Sequence, residues 1–268
     1  MASSYTEFRF GWPVVFAAAI GIGLGMSPLP FYTIGVFAGP LAMEFGWGFG
    51  EIMLSMLVFT ITAFFASPFV GILADRYGPR KVALNSVFLF SLVMMSFSLQ
   101  NGSQAMWLGT WGVLAIAGAG TLPITWTRAV NGWFNAKRGL ALGISLIGTG
   151  IFGAVAKQYA FFMIDLVGWR GAYVAVGALP LLIALPIAFF LFRDADDPKV
   201  AGKISNLRNA TQQPPPVLAG PTLAKALTDW RFWLLAYAFV PISFAVGGPI
   251  PNLENILGAK GFSTETAV

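Results

Sequence analysis

The sequence predicts an all-α membrane protein, and three observations carry that prediction. Of 268 residues, 57% are hydrophobic and only 10% are charged, against about 25% charged in an ordinary soluble domain. The mean hydropathy is +0.74. Apolar runs of roughly 20 residues recur along the chain, each long enough to cross a hydrocarbon core of about 30 Å as a helix. Alternation with period two is absent, and an open strand edge cannot face lipid, so the runs are read as helices.

Seven spans follow in order, at about 12–40, 52–74, 81–99, 106–131, 139–164, 171–192 and 231–257. The start, MASSYTEFRF, lacks the basic region, short apolar core and cleavage site of a secretory signal, so the first run is expected to stay as an anchor. With the N-terminus in the cytoplasm, one face receives Arg9, Arg76, Arg80, Lys81, Lys137, Arg138 and the basic residues from Arg193 to Arg231. The other receives Arg170 and Lys260. The positive-inside rule therefore orients a multi-pass chain in the cell (plasma or inner) membrane with a cytoplasmic N-terminus. Three regions are expected: 1–193, a six-helix bundle; 194–229, a cytoplasmic linker containing QQPPPVLAGP; and 230–268, the seventh helix. The sequon at Asn209 falls on the cytoplasmic side and reads as a chance match.

Composition also excludes chemistry. With neither cysteine nor histidine, disulfides, thiol chemistry and the commonest metal ligands are ruled out. No nucleophile and base pair up and no metal constellation is visible, so no enzyme and no cofactor are expected. The net charge of +5 is scattered between apolar runs rather than gathered on a basic face, which argues against nucleic acid. Glycine-rich stretches such as GIGLG and GISLIGTG lie inside spans without a preceding strand and read as close helix packing, not phosphate loops.

Two internal echoes stand out. DRYGPR (Asp75 to Arg80) follows the second span and DLVGWR (Asp165 to Arg170) follows the fifth; they share D-x-x-G-x-R on opposite faces, as an inverted three-plus-three repeat requires. SPLP in the first span and GPIP in the seventh place Pro28, Pro30 and Pro249, Pro251 at matching distances from Trp12 and Trp233. Matched interruptions of this kind point to a transporter's central site, the plainer alternative being kinks that aid packing. If the seventh span repeats the first, five further helices are expected after Val268, and the chain reads as truncated.

The turn GILADRYGPRKV (Gly71 to Val82) resembles the signature loop of the major facilitator superfamily, G-x-L-A-D-R-x-G-R-K, at its expected place between helices 2 and 3, with Pro79 as one added position. The resemblance implies a major-facilitator-type six-helix bundle followed by the first helix of an incomplete second bundle. It also implies that Gly71, Asp75, Arg76, Gly78 and Arg80 are gating residues that latch two halves on the cytoplasmic side. The residues themselves offer a close helix approach at Gly71, a tight turn at Gly78 and a carboxylate at Asp75 for an arginine or a helix N-terminus; setting topology alone is the other reading. FGWGFGEI, NGWFNAKRGLALGISLIGTG and DWRFW are similar to the monocarboxylate and oxalate/formate transporter branch. Eukaryotic members of that branch often carry a lysine in the outer half of helix 1, where this chain has Tyr32.

Charges within spans complete the reading. A charge at the bilayer centre costs about 2.5–3.5 kcal/mol on insertion scales and normally faces a bundle interior or a wet cavity. Lys157 lies ~27 Å along helix 5, outward of the midplane, and Asp165 is ~12 Å further on, too far for a direct bond. The other acids of the first six helices sit in or beside turns, so Lys157 invites an anionic ligand; snorkelling or structural bonding is the alternative. Arg128 lies near the cytoplasmic end of helix 4, on one face with Thr121 and Thr125. Its planar fork suits a carboxylate, and headgroup contact or a cytoplasmic gate is its other reading. Tyr32 and Trp126 are candidates to line the route, or to pack. Glu254, near the outer end of helix 7, is a carboxylate for proton coupling or an interfacial residue. The resulting expectation is a secondary transporter of a small organic anion, monocarboxylate-like, working by alternating access as symporter or antiporter. Lys157, Arg128, Tyr32, Thr125 and Trp126 would meet the substrate, a proton or counter-anion would couple, and lipid would surround the protein. Rival readings are a carrier of neutral or hydrophobic compounds and a non-transporting receptor or assembly subunit.

Overall fold

Each expected span is helical. The protein is described from a computed structural model covering residues 2–195, 197, 198, 200–202 and 223–260, without the side chains of 2–6, 223, 254, 255 and 258. Asn209, most of the expected linker and the side chain of Glu254 lie outside the described residues. The chain divides into two compact units, 1–216 and 217–268.

In the first unit the helices are α1 (Ala2–Gly23), α2 (Leu29–Phe45), α3 (Phe49–Tyr77), α4 (Pro79–Ser96), α5 (Gln104–Gly118), α6 (Pro123–Trp133), α7 (Arg138–Leu179) and α8 (Leu185–Leu191). The first span is α1 and α2, broken at Leu24–Pro28 where Pro28 and Pro30 stand. The fourth span was expected to be continuous and is not. A single 3-10 turn, Ala119–Thr121, divides α5 from α6, because Gly118 and Gly120 weaken the helix and Pro123 cannot donate its missing N–H.

The fifth and sixth spans run together as a helical stretch of 54 residues, Arg138–Leu191. Such a stretch would be about 81 Å long if straight, far more than one crossing. Gly168 resolves this: its φ of 72° and ψ of 168° reverse the chain inside α7, in a region essentially closed to residues with a Cβ. Gly78, between α3 and α4, has φ 87° and ψ 144°. The two D-x-x-G-x-R turns thus share a backbone conformation as well as three residues. The helices that begin after the two breaks extend the echo, since Leu29-Pro30 with Gly39 and Leu122-Pro123 with Gly132 keep the same spacing. These coincidences make the inverted repeat a property of the fold.

Contacts identify the two ends of the bundle. Glu7, Asp75, Arg80, Arg128, residues 135–137 and Asp194 gather at what we call the N-terminal face; Glu44, Gln100 and Arg170 gather at the opposite face. α7 packs chiefly on α1 and α2, and α3 on α5. Near the opposite face an aromatic core links the spans, with Tyr173 stacked on Phe37 at 3.8 Å and on Phe97 at 5.0 Å.

Gly78 is required twice, by its φ and because a Cβ there would lie 2.8 Å from Asp194 Oδ2. Gly78→Ala is expected to cost about 1–3 kcal/mol, read as lowered thermal stability in detergent.

In the second unit α9 (Leu223–Thr228) leads to α10 (Trp230–Gly247), whose N-terminus is capped by Asp229. The chain then breaks around Pro249 and Pro251 before α11 (Leu253–Gly258). The seventh span is therefore interrupted at the place that the proline echo with the first span indicates.

Candidate functional site

Breaking a helix in an apolar bundle exposes backbone groups that need partners. At the first break Met26 donates its N–H to Thr121 Oγ1 at 2.9 Å, and Thr121 Oγ1 donates to the carbonyl of Gly118 at 2.7 Å. The two discontinuous spans, equivalent under the repeat, are thus pinned together at their breaks. Thr121 therefore belongs to the break and not to a stripe with Arg128. Thr121→Val leaves a buried N–H without an acceptor, at an expected cost of about 1–3 kcal/mol. Thr127→Val, which loses only a hydroxyl bonded back to Pro123 O, should change thermal stability little.

Lys157 is 8% exposed and interacts with other groups of the protein, so it is not the bare cation that its sequence setting implies. One turn earlier on the same face is Gly153, where a Cβ would lie 2.7 Å from the Tyr32 ring. Tyr32, in the first turn of α2, is therefore brought to the Lys157 face of α7. At the start of α2 the N–H groups of Leu29 and Tyr32 are taken by the carbonyls of Gly25 and Pro28 at 3.3 and 2.9 Å, so the polar groups that this region offers are side chains. A Cβ on Gly148 would collide with the carbonyl of Ala19, and one on Gly23 with the Phe152 ring. Glycines thus let the two spans approach.

The other predicted residues lie elsewhere. Arg128 forms an ion pair with Asp75, which joins it to the turn at the N-terminal face. Thr125 is 1% exposed, and its hydroxyl has no hydrogen-bond partner among the described residues. Trp126 is fully enclosed: it packs against Gly21 and Phe192 and gives its indole N–H to Thr121 O at 3.1 Å. In this conformation it offers no surface to a ligand. Gly71, read as a point of close helix approach, has nothing within 4 Å of where a Cβ would stand. Arg76 lies over the Tyr77 ring, 5.4 Å from its centroid. Arg80 donates through Nη2 to Phe189 O at 2.6 Å, and its backbone N–H meets the Asp194 carboxylate.

Sequence reasoning missed three carboxylates. Glu7 is 3% exposed and accepts the N–H groups of Asn135, Ala136 and Lys137 at 3.0–3.2 Å, fastening α1 to the start of α7. Asp194 caps the start of α4. Glu44, beyond the first apolar run, accepts from Trp169 and pairs with Arg170. The Trp169 hydrogen bond first, and then Arg170, hold its carboxyl below the ordinary value of 4.5. What this contributes to stability is present above that value and is lost as the pH falls below it. Isolated acids near span ends carry no sequence signal that separates these roles from ordinary solvation.

A turn of the signature type between α3 and α4, an inverted repeat and broken spans paired at their breaks agree with the match of residues 20–268 to the family model of the Major Facilitator Superfamily. The chain belongs to the major facilitator superfamily. It is a multi-pass membrane protein of that family, with five described helices long and apolar enough to cross a bilayer. Among its relatives, an uncharacterized 38 kDa protein of Thermoproteus tenax is 31% identical over 84% of this chain and 52% of its own length. A probable sulfoacetate transporter of Cupriavidus necator is 32% identical over 62% of this chain and 39% of its own. Monocarboxylate transporter 4 of Mus musculus is 26% identical over 72% and 40%. The chain spans about half the length of the curated relatives it matches.

Proposed function

We propose that this transporter carries a small organic anion, a monocarboxylate or short sulfonate, by alternating access. The observation that carries the reading is Lys157, a cation buried in the fifth span on the face that meets Tyr32 at the helix break. In a low-dielectric bundle an ammonium group favours a negative ligand. Tyr32 supplies a polar edge beside it, and Thr125 an uncommitted hydroxyl. Arg128, released from Asp75 when the turn at the N-terminal face opens, is the second cation on the route. Asp75, Arg76 and Arg80 form the gate on that face, with Gly78 shaping its turn; the face is cytoplasmic on the distribution of basic residues. A proton or a counter-anion couples the cycle. Residues 1–193 form one bundle, 194–229 link it onward and 230–268 begin the next. Relatives named for sulfoacetate and monocarboxylates support the anionic class.

The test is uptake of labelled lactate, oxalate, sulfoacetate and glucose by proteoliposomes containing the full-length protein. The anions are expected to be taken up and to compete with one another, and glucose is not. Uptake of glucose with no uptake of anions would establish the neutral-solute reading instead, and a folded full-length protein that moves nothing would support a receptor or assembly role.

A further inference from the structure

We propose that Glu44, Trp169 and Arg170 form a clamp at the opposite face, the counterpart of the clamp around Arg80, which locks the ends of spans 1, 3 and 6 so that this end of the bundle moves as one piece. The basis is a correspondence of bonds. Arg80 and Arg170 each follow a glycine with positive φ by two residues, at Gly78 and Gly168. Arg80 Nη2 donates to Phe189 O at 2.6 Å, near the end of span 6; Arg170 Nη2 donates to Gln100 O at 3.1 Å, at the end of span 3. Since span 3 and span 6 are equivalent under the repeat, the two arginines perform the same operation at opposite ends of the bundle.

Each arginine also meets an acid. Arg80 lies 3.9 Å from Asp197, and Arg170 Nη1 lies 2.6 Å from Glu44 Oε1. The second clamp is the tighter. Trp169 Nε1 donates to the other Glu44 oxygen at 2.6 Å, and the Arg170 guanidinium stands 4.2 Å from the centroid of a Trp169 ring. A carboxylate held on both oxygens and a guanidinium held by a carboxylate, a carbonyl and an indole face have little freedom to reorient. Phe45, next to Glu44, contacts the Trp169 ring at 5.7 Å, which carries the constraint into the aromatic core.

The clamp itself stands on these contacts; only its part in the cycle rests on the transport reading. Hydrogen exchange on the full chain in lipid nanodiscs tests it. Arg170→Gln is expected to speed exchange about tenfold in residues 44–48 and 97–103 and to leave 78–82 and 189–195 unchanged. Arg80→Gln should give the mirror image. Glu44→Gln, which keeps the carbonyl bond, should act on the same segments as Arg170→Gln but less, and it serves if that variant does not fold. In proteoliposomes Arg170→Gln should lower anion turnover with KM unchanged, and Arg170→Lys should recover part of it. Uniform acceleration, no acceleration, or wild-type turnover despite local acceleration would overturn the proposal. Absence of anion uptake by the wild type counts against the anion reading alone, and the exchange pattern then decides the clamp.

Discussion

Gly148→Ala is expected to destabilise the six-helix unit more than any other single methyl addition in the fifth span. A Cβ at Gly148 collides with the carbonyl oxygen of Ala19, and further with its carbonyl carbon and Cα. The obstacle is backbone, so no side-chain rotation relieves it and α1 and α7 must separate. Overpacking of this kind costs about 1–3 kcal/mol, occasionally more, and here the upper end is expected. The effect should travel, because α7 also seats Phe152 on Gly23 of α1 and Gly153 against Tyr32 of α2. Gly150→Ala is the control two residues away: nothing stands within 4 Å of its Cβ position, and alanine gains about 1 kcal/mol over glycine in helix propensity. Thermal unfolding in detergent, followed by tryptophan fluorescence, should show Gly148→Ala well below the wild type and Gly150→Ala at or above it.

The second large effect is on function. Lys157→Gln keeps a polar, hydrogen-bonding end on a side chain one atom shorter and removes the charge. Truncating one partner of a buried charge pair costs about 2–5 kcal/mol, so a loss of about 30-fold to a few thousand-fold in anion affinity is expected. Lys157→Arg restores the charge on a longer, planar head and should recover part of the binding. Thr125→Val isolates a weaker contribution, since its hydroxyl has no partner to lose among the described residues. It should leave stability unchanged and lower anion affinity by a few-fold.

Much of the fold was legible because spans and turns are set by local composition. Apolar runs cannot be anything but helices in lipid, and the D-x-x-G-x-R turns are short enough to read directly. The break in the fourth span was also written locally, in GAGTLP, but the surrounding apolar run concealed it. The register that Leu122-Pro123 shares with Leu29-Pro30 is the signal that reveals it. The candidate site was less legible. Arg128 and Asp75 are 53 positions apart in the sequence, and nothing in spacing tells an arginine which carboxylate it will meet. Glu7 looks like any acid near a chain start until the N–H groups of 135–137 converge on it. Lys157 could be placed by depth along its helix, whereas its closeness to Tyr32 depends on Gly153, whose missing side chain makes room for the ring.

The most direct test of the central claim is equilibrium binding of radiolabelled oxalate to the purified chain, wild type against Lys157→Gln, with folding of both verified by their unfolding transitions. Saturable binding to the wild type is expected, displaced by lactate and sulfoacetate but not by glucose, with none to the variant over the same range. Equal binding to both proteins, or none to a folded wild type, would contradict it.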